Sequence, residues 1–142
     1  MDTEIEMELR RVLIQENSDQ QLIFLKERFG DRSFPIVIGT AEALAIDRRL
    51  KGIESPRPLT HDLIYNVIHG LKGELERIIV SDLREISVNG LPQFTYFALL
   101  ILRKEGDLIE IDARPSDAIA LGITQNTPIF VAEHVLNDAS AG

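Results

Sequence analysis

With 142 residues, an apolar content of 44% and a formal net charge of −8, the chain has the length for one domain with a real core and little room for two. That acidity weighs against holding nucleic acid by broad phosphate neutralisation, which needs basic stripes, but leaves room for handling it transiently at a metal-assisted site. The absence of cysteine excludes disulfides and thiolate metal sites. The longest apolar run, Phe97-Ala98-Leu99-Leu100-Ile101-Leu102, is too short to span a bilayer. The start, Met1-Asp2-Thr3-Glu4, is acidic where a secretory signal would be basic and then apolar. The expectation is a soluble cytoplasmic protein with no membrane segment.

Residues 5–14 alternate loosely and read as a first strand, Asn17-Ser18-Asp19 as a turn, and residues 21–25 as a second strand, which makes a hairpin. Gly30-Asp31-Arg32 turns the chain into a third strand, residues 34–38, where Pro35 favours an edge position. Gly39-Thr40 opens a first helix through about residue 50, with Thr40 as the expected N-cap and Gly52 ending it. That helix is apolar over most of its circumference, and Glu42 inside the apolar region needs a partner, an arginine before a metal. Arg48 and Arg49 in its last turn cluster with Lys51 and Arg57 just after it, interrupted only by Glu54. They read as a solvated helix end or, more sharply, as a phosphate-facing patch.

Ser55-Pro56-Arg57-Pro58 is a stiff connector, and Thr60 starts a second helix with Asp62 in its first turn. Leu63, Ile64, Val67, Ile68 and Leu71 make its stripe, with His61 at the edge. A strand over residues 74–83 follows, then a loop over about residues 85–93 holding the turn Asn89-Gly90. Residues 94–102 are apolar on both faces and read as an interior strand. Lys104-Glu105-Gly106-Asp107 turns it into the strand ending at Asp112. After a third helix come a short strand at residues 129–131, one helical turn at residues 133–136 and a loose tail over residues 137–142. The expected architecture is α+β: one domain over residues 1–136, with a mixed, largely antiparallel sheet and three main helices.

The stretch that organises the chain is Ile111-Asp112-Ala113-Arg114-Pro115-Ser116-Asp117-Ala118. Pro115 pre-sets the first helical position and holds Arg114 extended. Asp112 and Arg114 share a strand face, while Ser116 and Asp117 fall in the helix's first turn. The everyday reading is an Asp112–Arg114 ion pair with two caps. The sharper one notes that Arg57-Pro58 before Asp62 echoes Arg114-Pro115 before Asp117, two anion-friendly helix starts. No phosphate-binding glycine loop, dinucleotide fingerprint, paired-histidine zinc motif or nucleophile elbow is present. The carboxylates Glu42, Asp62, Asp112 and Asp117 remain, a set that suits Mg²⁺ or Mn²⁺.

At these residues the chain resembles the bifunctional nuclease domain, also called the DNase–RNase domain. The matching segments are Ile38-Gly39 with Glu42-Ala43 and Ile46, Arg57-Pro58-Leu59-Thr60-His61-Asp62-Leu63, Phe97-Ala98, the Ile111–Leu121 junction and Pro128-Ile129-Phe130-Val131. The resemblance implies a compact α+β fold, assembly as a homodimer, and cleavage of both DNA and RNA. This chain departs from the pattern at Val88-Asn89-Gly90-Leu91-Pro92-Gln93, where the family has a shorter turn. It departs again at Gly122-Ile123-Thr124, where the family has alanine, an apolar residue and a basic one.

The leading expectation is a metal-dependent phosphodiesterase. Asp112 and Asp117 with Glu42 would hold Mg²⁺ or Mn²⁺, Arg57, Arg114 and Ser116 would bind phosphate, and His61 would move the proton. Nucleic acid would be a transient substrate. The rival is a non-catalytic dimeric module that binds a small anionic ligand or a protein partner. Open carboxylates favour the enzyme, whereas carboxylates sealed in arginine pairs favour the module.

Overall fold

In the computed structural model, which describes residues 3–140, the strands β1 (Glu4–Leu13), β2 (Gln20–Glu27) and β3 (Ser33–Gly39) lead into α1 (Thr40–Leu50) and α2 (Thr60–Gly70). The chain continues through β4 (Glu74–Val88), β5 (Leu91–Lys104), β6 (Asp107–Ala113), α3 (Pro115–Gly122), a 3₁₀ turn (Ile123–Gln125), β7 (Ile129–Ala132) and α4 (Glu133–Ser140). The acidic start at Met1 and Asp2 and the last two positions of the expected tail, Ala141 and Gly142, lie outside the described residues. The seven strands form one sheet in the order β3-β2-β1-β7-β4-β5-β6. All neighbours run antiparallel except β4 and β7, so the sheet is mixed and the α+β expectation holds. Pro35 sits on β3 at one edge of the sheet, where its missing N–H costs no ladder bond.

Two parts of the expected layout change. The stretch expected as a loop is a continuous hairpin, with β4 and β5 paired out to Val88 opposite Leu91. Asn89 and Gly90 both have positive φ, 53° and 81°. That is the two-residue turn whose twist matches paired strands, so the polar turn signal marked a tip and not a loop. At the C-terminal end, the stretch expected as loose from residue 137 is helical through Ser140. Val135 and Leu136 are fully buried and anchor this fourth helix, which follows β7 without a connecting loop.

The core has two parts, and α3 joins them. Ile119 and Ala120 enter the larger cluster with Ile23, Phe34, Ile46, Val131 and Val135, while Ala118 and Leu121 enter a smaller one with Ile78, Ala98 and Leu100. Apart from Asp117, every residue of α3 is buried. Gly122 ends it against β4: a Cβ there would come within 2.6 Å of the Ile78 Cδ1 methyl, so that side chain would have to shift to admit an alanine.

The helix α2 sits differently from the expectation. None of its residues is fully buried. Only Tyr65 and Ile68 pack against the smaller cluster, in helical register with His61. Leu63, Val67 and Leu71, expected to face the core, are 56%, 50% and 63% exposed. The rotation of the helix follows from two polar ties in its first turn, described next.

Candidate active site

The N-terminus of α3 is the centre. Arg114 is extended (φ −77°, ψ 146°) and Pro115 takes the first helical position, as a proline with no N–H to orphan should. That geometry returns the Arg114 side chain over its own helix: Nε donates to Asp117 Oδ2 at 2.9 Å and Nη2 donates to Glu42 Oε1 at 2.7 Å. Arg114 therefore bridges the first turns of α1 and α3, and among the described residues its Nη1 has no hydrogen-bond partner. The other carboxylate oxygen of Asp117, Oδ1, lies 3.0 Å from His61 Nε2 on α2. Glu42, Arg114, Asp117 and His61 thus make one chain of contacts across three helices.

A second tie fixes α2. Asp62 accepts the Leu59 backbone N–H at 3.0 Å and the Arg49 guanidinium from α1. Together, Asp62 on Arg49 and His61 on Asp117 turn the polar side of the first turn inward and leave Leu63 and Val67 outside.

Both aspartates are tuned in the same direction. Burial pushes the Asp117 carboxyl up, but the hydrogen bonds from His61 and Arg114 and the adjacent cationic charge more than offset it, holding the group below its ordinary 3.8. For Asp62 burial again opposes, and the Leu59 N–H and the Arg49 guanidinium bring it below the same value. The Arg114 guanidinium is held more firmly protonated, first by its hydrogen bond to Glu42 and then by that to Asp117.

These groups open on a cavity of about 890 Å³, within the size range of small-molecule and nucleotide sites. Its polar wall carries Glu42, Arg48, Arg49, Thr60, His61, Asp112, Arg114 and Asp117, and its apolar floor includes Ile64, Leu100 and Ile111. A histidine oriented by a carboxylate, beside an arginine with a free nitrogen, can take a proton and hold an anion.

A family model for the bifunctional nuclease domain matches residues 23–142. The chain belongs to that family. It is also 38% identical over 128 residues, 90% of this chain and 71% of the relative, to uncharacterized proteins from two strains of Mycobacterium tuberculosis. Those relatives add no activity of their own. Membership points to a nuclease-type role and to contact with nucleic acid, and no helix among the described residues is long and apolar enough to cross a membrane.

In this bifunctional nuclease domain the residues expected to form the site separate into two groups. Glu42, His61, Arg114 and Asp117 come together. Asp112 lines the same cavity, but among the described residues its side chain makes no ion pair; the expected Asp112–Arg114 ion pair is replaced by Arg114 on Asp117 and Glu42. The helix's first turn offers Arg114 a carboxylate three residues on, and α1 brings a second one across. Ser116 is buried and lines a neighbouring cavity of about 560 Å³. Arg57 is exposed and not on the site cavity, and Asp62 pairs with Arg49 and not with Arg57 as Asp117 does with Arg114.

The metal expectation meets the same geometry. Among the described residues, no group of three or more histidine, aspartate or glutamate side chains is placed to hold an ion. Glu42 and Asp117 both face the Arg114 guanidinium, whose charge opposes a dication. These residues do not fit Mg²⁺ or Mn²⁺ as arranged. Two members of the basic cluster at the end of α1 also stand at the site, Arg49 as the holder of Asp62 and Arg48 on the cavity wall; composition marks the cluster but gives neither its partner nor its place.

Proposed function

We propose that this domain cleaves phosphodiester bonds in DNA and RNA strands, with His61 as general base. The observation that carries the reading is the His61–Asp117–Arg114–Glu42 chain opening on one cavity. With Nε2–H directed at Asp117, the His61 Nδ1 lone pair is the site that takes a proton from an attacking water or ribose 2′-hydroxyl. Asp117 holds the ring in that tautomer and stabilises the imidazolium that forms. The free Arg114 Nη1 binds a non-bridging phosphate oxygen as negative charge grows in the transition state. The new oxygen–phosphorus bond forms as the ester bond breaks, and the departing oxygen takes a proton from water.

The test is cleavage of single-stranded RNA and DNA by purified protein with Mg²⁺, Mn²⁺ or chelator, beside folded His61→Asn and Asp117→Asn variants. Loss of a general base lowers the rate by about 10²–10⁴-fold, and equal cleavage by wild type and variants would make the activity a contaminant. The chelator arm decides whether a divalent metal takes part.

A second reading is favoured by one observation: Glu42 and Asp117 are both held by Arg114. That sealing suits a non-catalytic module that binds an anion or a protein partner. Wild type that binds an oligonucleotide and never cleaves it would establish the module.

Both readings include a homodimer. Its support is the uncovered apolar face of α2 at Leu63 and Val67, with Leu71 just beyond it and Leu108 and Ile109 exposed on the edge strand β6. A chain without cysteine suits the reducing cytoplasm, where this reading places it.

A further inference from the structure

Three arginines line the site cavity, Arg48, Arg49 and Arg114. Arg49 is held by Asp62, and Arg114 by Glu42 and Asp117. Arg48 has no such partner. Among the described residues its guanidinium makes no hydrogen bond or ion pair, and its Nε is buried and unpaired. Buried donors are rarely left unmatched, and one that is calls for an explanation such as a missing ligand.

The placement supplies one. Ala41, Ala45 and Arg48 recur at helical spacing along the α1 face that lines the cavity, which puts Arg48 two turns away from the α1 start where Glu42 meets Arg114. Arg48 also lines an adjoining cavity of about 310 Å³, whose wall includes Glu54 and Asp62; Glu54 does not bond it and Asp62 is held by Arg49. On the site cavity, Thr60 and His61 add the first-turn N–H groups of α2, which no intrahelical bond uses.

We propose that Arg48 grips a second phosphate of the bound strand, one removed from the phosphate at Arg114 and His61, and so selects a nucleic-acid strand over a single phosphodiester. This rests on the phosphodiester reading of the same cavity. A guanidinium suits the role because its planar fork meets two phosphate oxygens at once. On a chain of net charge −8, an uncompensated cation inside the cavity also marks where a polyanion enters.

The test is binding measured at several salt concentrations, with TpT, which carries one phosphate, and hexathymidylate, which carries five. Arg48→Gln is expected to lower hexamer affinity about tenfold and to take about 0.7 from the slope of log affinity against log salt, with little change for TpT. Arg48→Lys is expected to restore the slope but not the full affinity, since a point charge replaces the fork. Arg48→Met, which keeps the buried stem, is the neutral variant to use if the glutamine one is unfolded by circular dichroism. The inference is overturned if the neutral variant keeps wild-type affinity and slope, if TpT loses as much as the hexamer, or if wild type binds neither. Cleavage is read separately. Arg48-dependent binding without cleavage fails the nuclease reading alone, and cleavage with Arg48-independent binding fails this inference alone.

Discussion

The helices α1 and α2 are each eleven residues long and follow one another in sequence, yet they end in opposite surroundings. The α1 helix buries Ala43, Ala45 and Ile46 in the larger core cluster. The α2 helix, richer in large apolar side chains, buries none completely and leaves Leu63, Val67 and Leu71 exposed. What differs is the polar anchoring of the first turn. Glu42 on α1 reaches out to Arg114 while Ala43, Ala45 and Ile46 pack inward, whereas His61 and Asp62 on α2 are tied to Asp117 and Arg49. A helix rotated by two charged contacts cannot also turn its widest apolar stripe to the same side. The comparison teaches that α1 joins a buried scaffold face to the cavity-lining Glu42, Arg48 and Arg49, whereas α2 is a working surface, with the site on one side and an uncovered apolar face on the other.

The largest effect that would sharpen this contrast is catalytic. His61→Asn on α2 is expected to lower strand cleavage by about 10²–10⁴-fold at unchanged melting temperature, while Ile46→Val on α1 should cost about 0.5–1.5 kcal/mol of stability and leave the rate alone. Measured rates that fall equally in both would erase the distinction between scaffold and working surface.

Stability comes next. Ile46→Ala, at a fully buried position, is expected to cost about 2–5 kcal/mol in urea denaturation. Leu63→Ala, read at a concentration where the chain is monomeric, should stay within about 0.5 kcal/mol. A large loss at Leu63 in the monomer would show that the stripe is covered within the chain after all.

Assembly gives the third comparison. Val67→Glu places a charge on the exposed α2 face and is expected to convert dimer to monomer in sedimentation velocity without unfolding it. A wild type that sediments as a monomer at high concentration would remove the second copy from the account.

The smallest effect concerns the tie between the two helices. Because Asp62 is held below its ordinary 3.8 in the folded chain, its contribution is complete above that value and disappears as pH falls through the lower native one. Asp62→Asn should therefore be less stable than wild type at neutral pH, with the gap closing below about pH 4. A gap that does not change with pH would mean that the Arg49 contact contributes nothing.

Much of the fold was legible because its signals are local. The Asn89-Gly90 turn, Pro35 on an edge strand, Arg114-Pro115 at a helix start and the alternation of β6 each depend on a few adjacent residues. The arginine partner that a carboxylate inside an apolar stretch calls for is Arg114. The hairpin arm is less legible because Ile86, Val88, Leu91 and Phe94 stand exposed beside polar neighbours and no buried face sets a strand period, and α4 because its buried side chains are only two, Val135 and Leu136. The misassigned site residues have a common cause: strand parity placed Asp112 beside Arg114, but parity says nothing about a carboxylate arriving from another helix.

By itself, then, the sequence determined the family, the α+β class, the strand-to-helix junction at Arg114-Pro115 and the residue types available to it, all of which follow from near neighbours and composition. Only the tertiary structure decided that His61 meets Asp117 across 56 positions of chain, that Arg114 joins Glu42 across 72, and that Arg49 leaves Arg57 without Asp62. It also decided which face of α2 is covered. The reason is physical: charge pairing is set by distance in space, and several arginines and carboxylates of equal chemistry competed until the fold brought particular pairs within hydrogen-bond reach.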